Sequence, residues 1–404
     1  MANSKKTLDV ITLFSLCVMI FTLPFSKSML EIFFTIAIVS WLLGRGLSLK
    51  PVSTPLNLPL YIFALLGFLS VLVSPAISLS LKAFFSKLLK VIIFYFVIVE
   101  TVNSKKKAAV ILSSFLFSVI ITGSDGIFQL ITGSDFIRRY ATFGNFRISG
   151  PFDNPNDLAA WLTMVVPLCS CILYFGGKSL SKNRRFLLFL LTVILIACLI
   201  STYTRGAWIA ITLSLILTGI FKSRKLAIIT VLAVTLLFCF STKSIKERTI
   251  SIITSSGSEA IRINLWKESV TIIKDFPLLG CGLNTYSIVA PKYKITPDGG
   301  IYPHNSYLQM AAETGLLGLG AFLWIMITLF KNSLADLKKI NNRSYNSILI
   351  GLLAGLFAFL VHSFVDTNLF SLKLRYLMWF AIGLIVALRR IALKEESDSR
   401  EYNA

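Results

Sequence analysis

The chain has 404 residues, 55% hydrophobic and 15% charged, with a formal net charge of +21. That balance excludes an ordinary soluble domain, which carries more charge and less apolar surface. It also argues against nucleic acid as a partner, because Lys and Arg gather in short clusters between apolar runs, such as Lys105, Lys106 and Lys107 or Lys222, Arg224 and Lys225.

The apolar runs are about 16–25 residues long, enough to cross a hydrocarbon core of about 30 Å as helices. In lipid every backbone amide needs an internal partner, so such spans are helical. The period-2 alternation of a membrane barrel is absent. The expectation is an all-α polytopic membrane protein with about twelve spans, near 8–25, 28–44, 58–75, 83–101, 108–132, 157–176, 185–203, 206–221, 226–241, 305–330, 346–368 and 373–391. Lys5 and Lys6 before the first run resemble a signal peptide. No small-residue cleavage site follows, so the first span is read as retained. The basic clusters place both termini in the cytoplasm.

The expected organisation is nine spans in 1–241, an outer loop in 242–304, three spans in 305–391 and a tail in 392–404 whose end, "KEESDSREYNA", reads as disordered. The loop is too long to be structureless. Within it "GSEAIRINLWKESVTIIKDF" (257–276) has helical spacing. Ile261, Leu265, Ile272, Ile273 and Phe276 fall near one stripe, and Ser258 is a candidate cap. "PLLGCGLNTY" (277–286) reads as a Gly-rich turn, and the glycines of "ETGLLGLGAF" (313–322) as close helix packing. The six cysteines, five of them in apolar runs, have no metal-ligand spacing and read as small buried hydrophobes.

Four features fall on the same expected outer side. They are His304 in "YPHNSYLQ", one of two histidines; Arg205 in "TYTRGAW"; Arg262 in the loop helix; and "GPFDNPNDLAAWL" (150–162), with Asp153, Asn154, Asn156 and Asp157. Arg presents a charged fork that pairs with phosphate, and His accepts a proton from a hydroxyl near neutrality. The first three have a plainer alternative. Arg205 also fits an interfacial snorkelling residue. Arg262 also fits a cation–π partner of Trp266. His304 also fits a helix-start residue bonding the backbone. His362 and Asp366, four residues apart, fit a hydrogen-bonded structural pair. Lys82, Lys87 and Lys90 read as an amphipathic interface helix.

"TRGAW", "AIRINLWKES" with "DFPLLGCGLNTY", and "PHNSYLQMAAETGLLGLGAF" resemble, in this order, the O-antigen ligase and polysaccharide polymerase family, with "GPFDNPNDLAAWL" matching the preceding segment. The resemblance runs from about residue 145 to about residue 370. It implies a GT-C-like helical fold with a periplasmic loop domain. The implied activity is metal-independent, cofactor-free transfer of a glycan from undecaprenyl diphosphate to a hydroxyl. By motif position, Arg205 and Arg262 match the family's diphosphate-binding arginines, and His304 the histidine that activates the acceptor. Asn156, Asp157, His362 and Asp366 match supporting positions. Within the family a ligase acting on lipid A–core is preferred, because one large outer loop separates spans nine and ten. A polymerase using the same donor is the alternative, and a lipid-linked glycan transporter is a third, although no inverted repeat is visible.

Overall fold

The computed structural model describes residues 2–46, 51–144, 146–239, 258–295 and 301–403. Among these the chain is helical apart from turns and two isolated β-bridges, Ser134 with Ala141 and Phe143 with Arg147. The helices are α1 (Ala2–Thr22), α2 (Lys27–Arg45), α3 (Asn57–Leu72), α4 (Ile77–Ala83), α5 (Lys90–Thr101), α6 (Lys105–Thr132), α7 (Pro155–Phe175), α8 (Lys182–Ser201), α9 (Arg205–Lys222), α10 (Arg224–Cys239), α11 (Ser258–Asp275), α12 (Tyr286–Val289), α13 (Ser306–Asp336), α14 (Arg343–His362) and α15 (Leu372–Asn403). A π-helical turn, Phe84–Leu89, joins α4 to α5.

Among the described residues eight helices are long and apolar enough to cross a membrane, namely α2, α6, α7, α8, α9, α13, α14 and most of α15. This is a polytopic membrane protein. The other four expected spans fall on α1, α3, the α4–α5 stretch and α10. Helices α3 and α10 have 16 residues each, and α1 carries Lys5, Lys6 and Asp9 in its first half. The tail expected to be disordered is instead helical as far as Asn403. Its carboxylates have partners that local composition does not reveal. Glu396 accepts from the Asn341 backbone at 2.8 Å and its side chain at 2.9 Å, and Glu395 accepts from the Tyr345 hydroxyl at 2.9 Å.

Helix starts follow local chemistry. Ser26, Ser104, Asn154, Ser181, Asn305 and Asn342 each accept from backbone N–H groups in the first turn that follows, which lack helical partners. The centre of the bundle is the contact between α7 and α14. A Cβ at Gly351 would stand 2.9 Å from Leu168 Cα, and one at Gly355 would stand 3.0 Å from the Met164 carbonyl carbon. The missing side chains let the backbones meet, which is how helices associate where lipid offers no hydrophobic drive. The contact also fixes the end of α14, where His362 sits.

The expected loop helix is α11, with Leu265 and Ile272 buried; Ile261, at 43% exposure, departs from the predicted stripe. The side chain of Ser258, the candidate cap, and residues 240–257 and 296–300 lie outside the described residues.

The glycines of 313–322 do something other than the expected close packing. Gly315 has φ +71° and ψ 176°, which interrupts α13. The Gly-rich turn after α11 fills the break. Cys281 N donates to Ala312 O at 2.8 Å, Gly282 N to Glu313 O at 3.0 Å, and Leu316 N to Pro277 O at 2.8 Å. Irregular backbone at this depth is tolerated because protein groups satisfy it. A Cβ at Gly315 would collide with the Leu278 carbonyl. Gly315→Ala is therefore expected to destabilise the protein by at least about 1–3 kcal/mol from backbone strain alone, read as a lower melting temperature in detergent. An unchanged melting temperature would show that the break is not needed.

Candidate functional site

His304 precedes α13 with φ +46°, a left-handed conformation uncommon for a residue with a side chain. Its neighbours on both sides hold it there. Trp266 Nε1, on α11, donates to Pro303 O at 2.8 Å. Asn305 Oδ1 accepts from Tyr307 N and Leu308 N, both at 3.0 Å. Ser306 N donates to Ser363 O at 2.9 Å, and Ser306 Oγ to Asp366 O at 2.9 Å. The residue is thus clipped between the outer helix and the turn after α14. Backbone strain kept by such over-determination clusters at functional positions.

The His304 side chain is 42% exposed, and its Nδ1 stands 3.5 Å from Asp366 Oδ1, the long limit of a hydrogen bond. Assigning the ring proton to Nδ1, toward the carboxylate, leaves Nε2 as an acceptor open to a ligand. Burial opposes charge on Asp366, but His304, His362 and the Thr367 backbone amide hold its carboxyl below the usual carboxylate range. With the folded value lowered, its contribution to stability is present above the ordinary value of 3.8 and is lost as the pH falls through the folded value.

His362 and Asp366 do not form the pair their spacing predicts. Helix α14 ends at His362, so residue 366 lies beyond the helix and the i, i+4 geometry does not exist. His362 is buried, with Nδ1 3.0 Å from Asn368 Nδ2. The cation–π pairing of Arg262 with Trp266 is also absent among the described residues, where Trp266 serves Pro303 instead. Lys87 and Lys90 are not an interface stripe, since they bond Asn284 and Glu31 respectively.

The remaining candidates converge on the same end of the bundle. Arg262 lies within electrostatic reach of His362. Gly206, next to Arg205, packs on that ring so closely that a Cβ would lie 3.2 Å from His362 Cδ2. Asn156 Oδ1 accepts from Arg147 Nη2 at 2.9 Å and Thr204 Oγ1 at 3.2 Å, tying the start of α7 to the residue before Arg205. Asp157 Oδ2 is 3.5 Å from Ser371 Oγ, and the carboxylate is within electrostatic reach of Asp366. The starts of α7, α9, α13 and α15, the end of α14 and helix α11 supply these side chains.

Sequence reasoning missed the supports. Arg147 also donates from Nε to Thr202 O at 2.8 Å. Asp153 pairs with Lys27 at 2.7 Å and Arg138 at 2.9 Å. Lys27 and Arg138 hold its carboxyl below the usual range against the opposing effect of burial. Only the position of Arg147, shortly before "GPFDNPND", hinted at any of this. Among the described residues no group of three or more His, Cys, Asp or Glu is arranged to hold a metal ion.

Two guanidinium groups and a half-exposed imidazole at the end of an apolar bundle suit an anionic leaving group and a hydroxyl. Residues 190–323 match the protein-family model described as O-antigen ligase. The chain carries an O-antigen ligase family domain. Members of this family are glycan-transferring enzymes, and the O-antigen ligase stretch contains Arg205, Arg262 and His304. The chain is also 26% identical over 139 residues to the exopolysaccharide production protein ExoQ of Rhizobium meliloti (strain 1021), covering 32% of this chain. It spans about a third of the length of that curated relative, 31%.

Trp266 holds the backbone just before His304 through Pro303 O. Trp266→Phe removes a hydrogen bond worth about 1 kcal/mol. The expected result is a kcat about fivefold lower at unchanged donor KM, measured in a reconstituted transfer assay. A change in KM alone would assign Trp266 to binding.

Proposed function

We propose that the protein is an O-antigen ligase that transfers a glycan from undecaprenyl diphosphate to a hydroxyl of lipid A–core at the periplasmic face of the inner membrane. The observation that carries this reading is the convergence of Arg205, Arg262 and the exposed His304 ring on one end of the bundle, within the matched stretch.

The acceptor oxygen attacks the anomeric carbon while the bond from that carbon to the diphosphate oxygen breaks, inverting the centre. The bonding pair leaves with the diphosphate, whose growing charge Arg205 and Arg262 offset. The hydroxyl proton passes to Nε2 of His304. Asp366 keeps the ring in the tautomer that can accept it. Apolar helix faces hold the polyprenyl tail, and the basic clusters support cytoplasmic termini.

A polymerase acting on a second lipid-linked glycan is the other reading, favoured by a relative named for exopolysaccharide production. The test is the surface polysaccharide of ligase-null and polymerase-null Gram-negative strains, matched in glycan and expressing this protein. An O-antigen ladder restored on lipid A–core in the ligase-null strain supports the ligase. Long chains regained only in the polymerase-null strain give the second reading. Purified protein that moves lipid-linked glycan across vesicles without transferring it overturns both.

A further inference from the structure

A separate cavity lies between α3, α5, α13 and α15, with an empty volume of about 620 Å³, its open mouth included. Most of its wall is apolar, including Phe63, Val91, Met310 and Trp379. Four polar residues also line it, namely Lys87, Asn284, Glu313 and Arg375. His304, Arg205 and Arg262 do not.

Arg375 is the anomaly. It is 9% exposed and its Nε makes no hydrogen bond. No other hydrogen bond or ion pair engages its guanidinium among the described residues. A guanidinium stays charged and presents five N–H donors, and burying one unpaired is costly. Nearby carboxylates relieve it only at a distance, with no hydrogen bond or ion pair. Glu313 and Glu31 are within electrostatic reach. However, Glu313 is occupied by Asn284 N at 2.8 Å and Gln309 Nε2 at 3.2 Å, and Glu31 pairs with Lys90. The second cation, Lys87, spends one donor on Asn284 Oδ1 and keeps two.

Two cations, one of them unpaired, at the wall of an otherwise apolar chamber fit a ligand with an anionic head and an apolar chain. A planar fork beside an ammonium suits phosphate better than a neutral polar group. We infer that the Arg375–Lys87 cavity is a second site, distinct from the Arg205–Arg262 pair, that binds a phosphate monoester carried on an apolar chain. The inference stands on the cavity's own residues and survives if the ligase reading fails.

The test uses full-length protein in nanodiscs, with empty nanodiscs as the blank, and measures equilibrium binding of radiolabelled farnesyl phosphate. Farnesol (the chain without the anion) and inorganic phosphate (the anion without the chain) serve as comparison probes. Arg375→Met is expected to weaken farnesyl phosphate binding at least tenfold, while Arg205→Met retains it. Farnesol and inorganic phosphate bind more weakly than farnesyl phosphate. Without ligand, Arg375→Met melts no lower than the native protein, because it removes an unpaired charge and breaks no bond. Undiminished binding by Arg375→Met, or loss of binding in Arg205→Met alone, overturns the site. A lower ligand-free melting temperature assigns Arg375 to the fold and does the same. Inorganic phosphate binding as tightly as farnesyl phosphate overturns the lipid assignment.

Discussion

His304→Ala is expected to lower glycan transfer by about 10²–10⁴-fold, the usual contribution of a positioned general base, while leaving donor binding nearly intact. The ring is set apart from the arginines by its surroundings. Its backbone is held at positive φ by bonds to α11 and to the turn after α14, and its Nδ1 faces Asp366. The Ala variant retains those backbone anchors, so the fold and the diphosphate contacts should survive it. Asp366→Asn serves as the graded companion. It keeps the shape but removes the charge that orients the ring, so its loss should be smaller and should vary with pH. The measurement is single-turnover transfer from a lipid-linked donor by purified protein, with donor binding followed in parallel. Full activity in His304→Ala would falsify the base assignment. Lost donor binding would move His304 to the diphosphate.

Arg205→Lys is the second large expected effect, a loss of roughly a hundredfold or more in kcat despite the retained charge. Lysine offers a point charge on a flexible stem, whereas a diphosphate leaving group calls for the planar fork. The residue is built to be precise. It opens α9, the preceding Thr204 is tied to Asn156, and the following Gly206 packs on His362 and Val365 with no room for a side chain. The proposal is tested by comparing native, Arg205→Lys and Arg262→Lys proteins on one donor. Native turnover in Arg205→Lys would leave the arginine as a snorkelling residue. Because the two arginines serve one leaving group, the double variant should lose less than the product of the single losses.

Much of this was legible in the chain itself. Long apolar runs require membrane helices because backbone amides find no partner in lipid. The spacing of "AIRINLWKES" marked α11, and motif order brought Arg205, Arg262 and His304 forward before any contact was known. What local pattern could not supply was pairing between distant segments. The i, i+4 rule joined His362 to Asp366, yet α14 stops at His362 and the carboxylate turns to a histidine 62 residues earlier in the chain. Composition made the tail look disordered, yet its Glu396 carboxylate holds Asn341 in the turn before α14.

The clearest division is at "ETGLLGLGAF" and Arg375. Periodicity reads the first as an unbroken, closely packed span and the second as one more residue of the last span. Only the tertiary structure shows Gly315 opening α13 to admit the turn of residues 277–282, and the Arg375 guanidinium left buried without a hydrogen bond. Composition and periodicity determine which segments leave water, because transfer free energy is a property of each residue and its near neighbours. Which buried polar group meets which is decided by segments far apart in the chain, and the chemistry of the two proposed sites lies in those meetings.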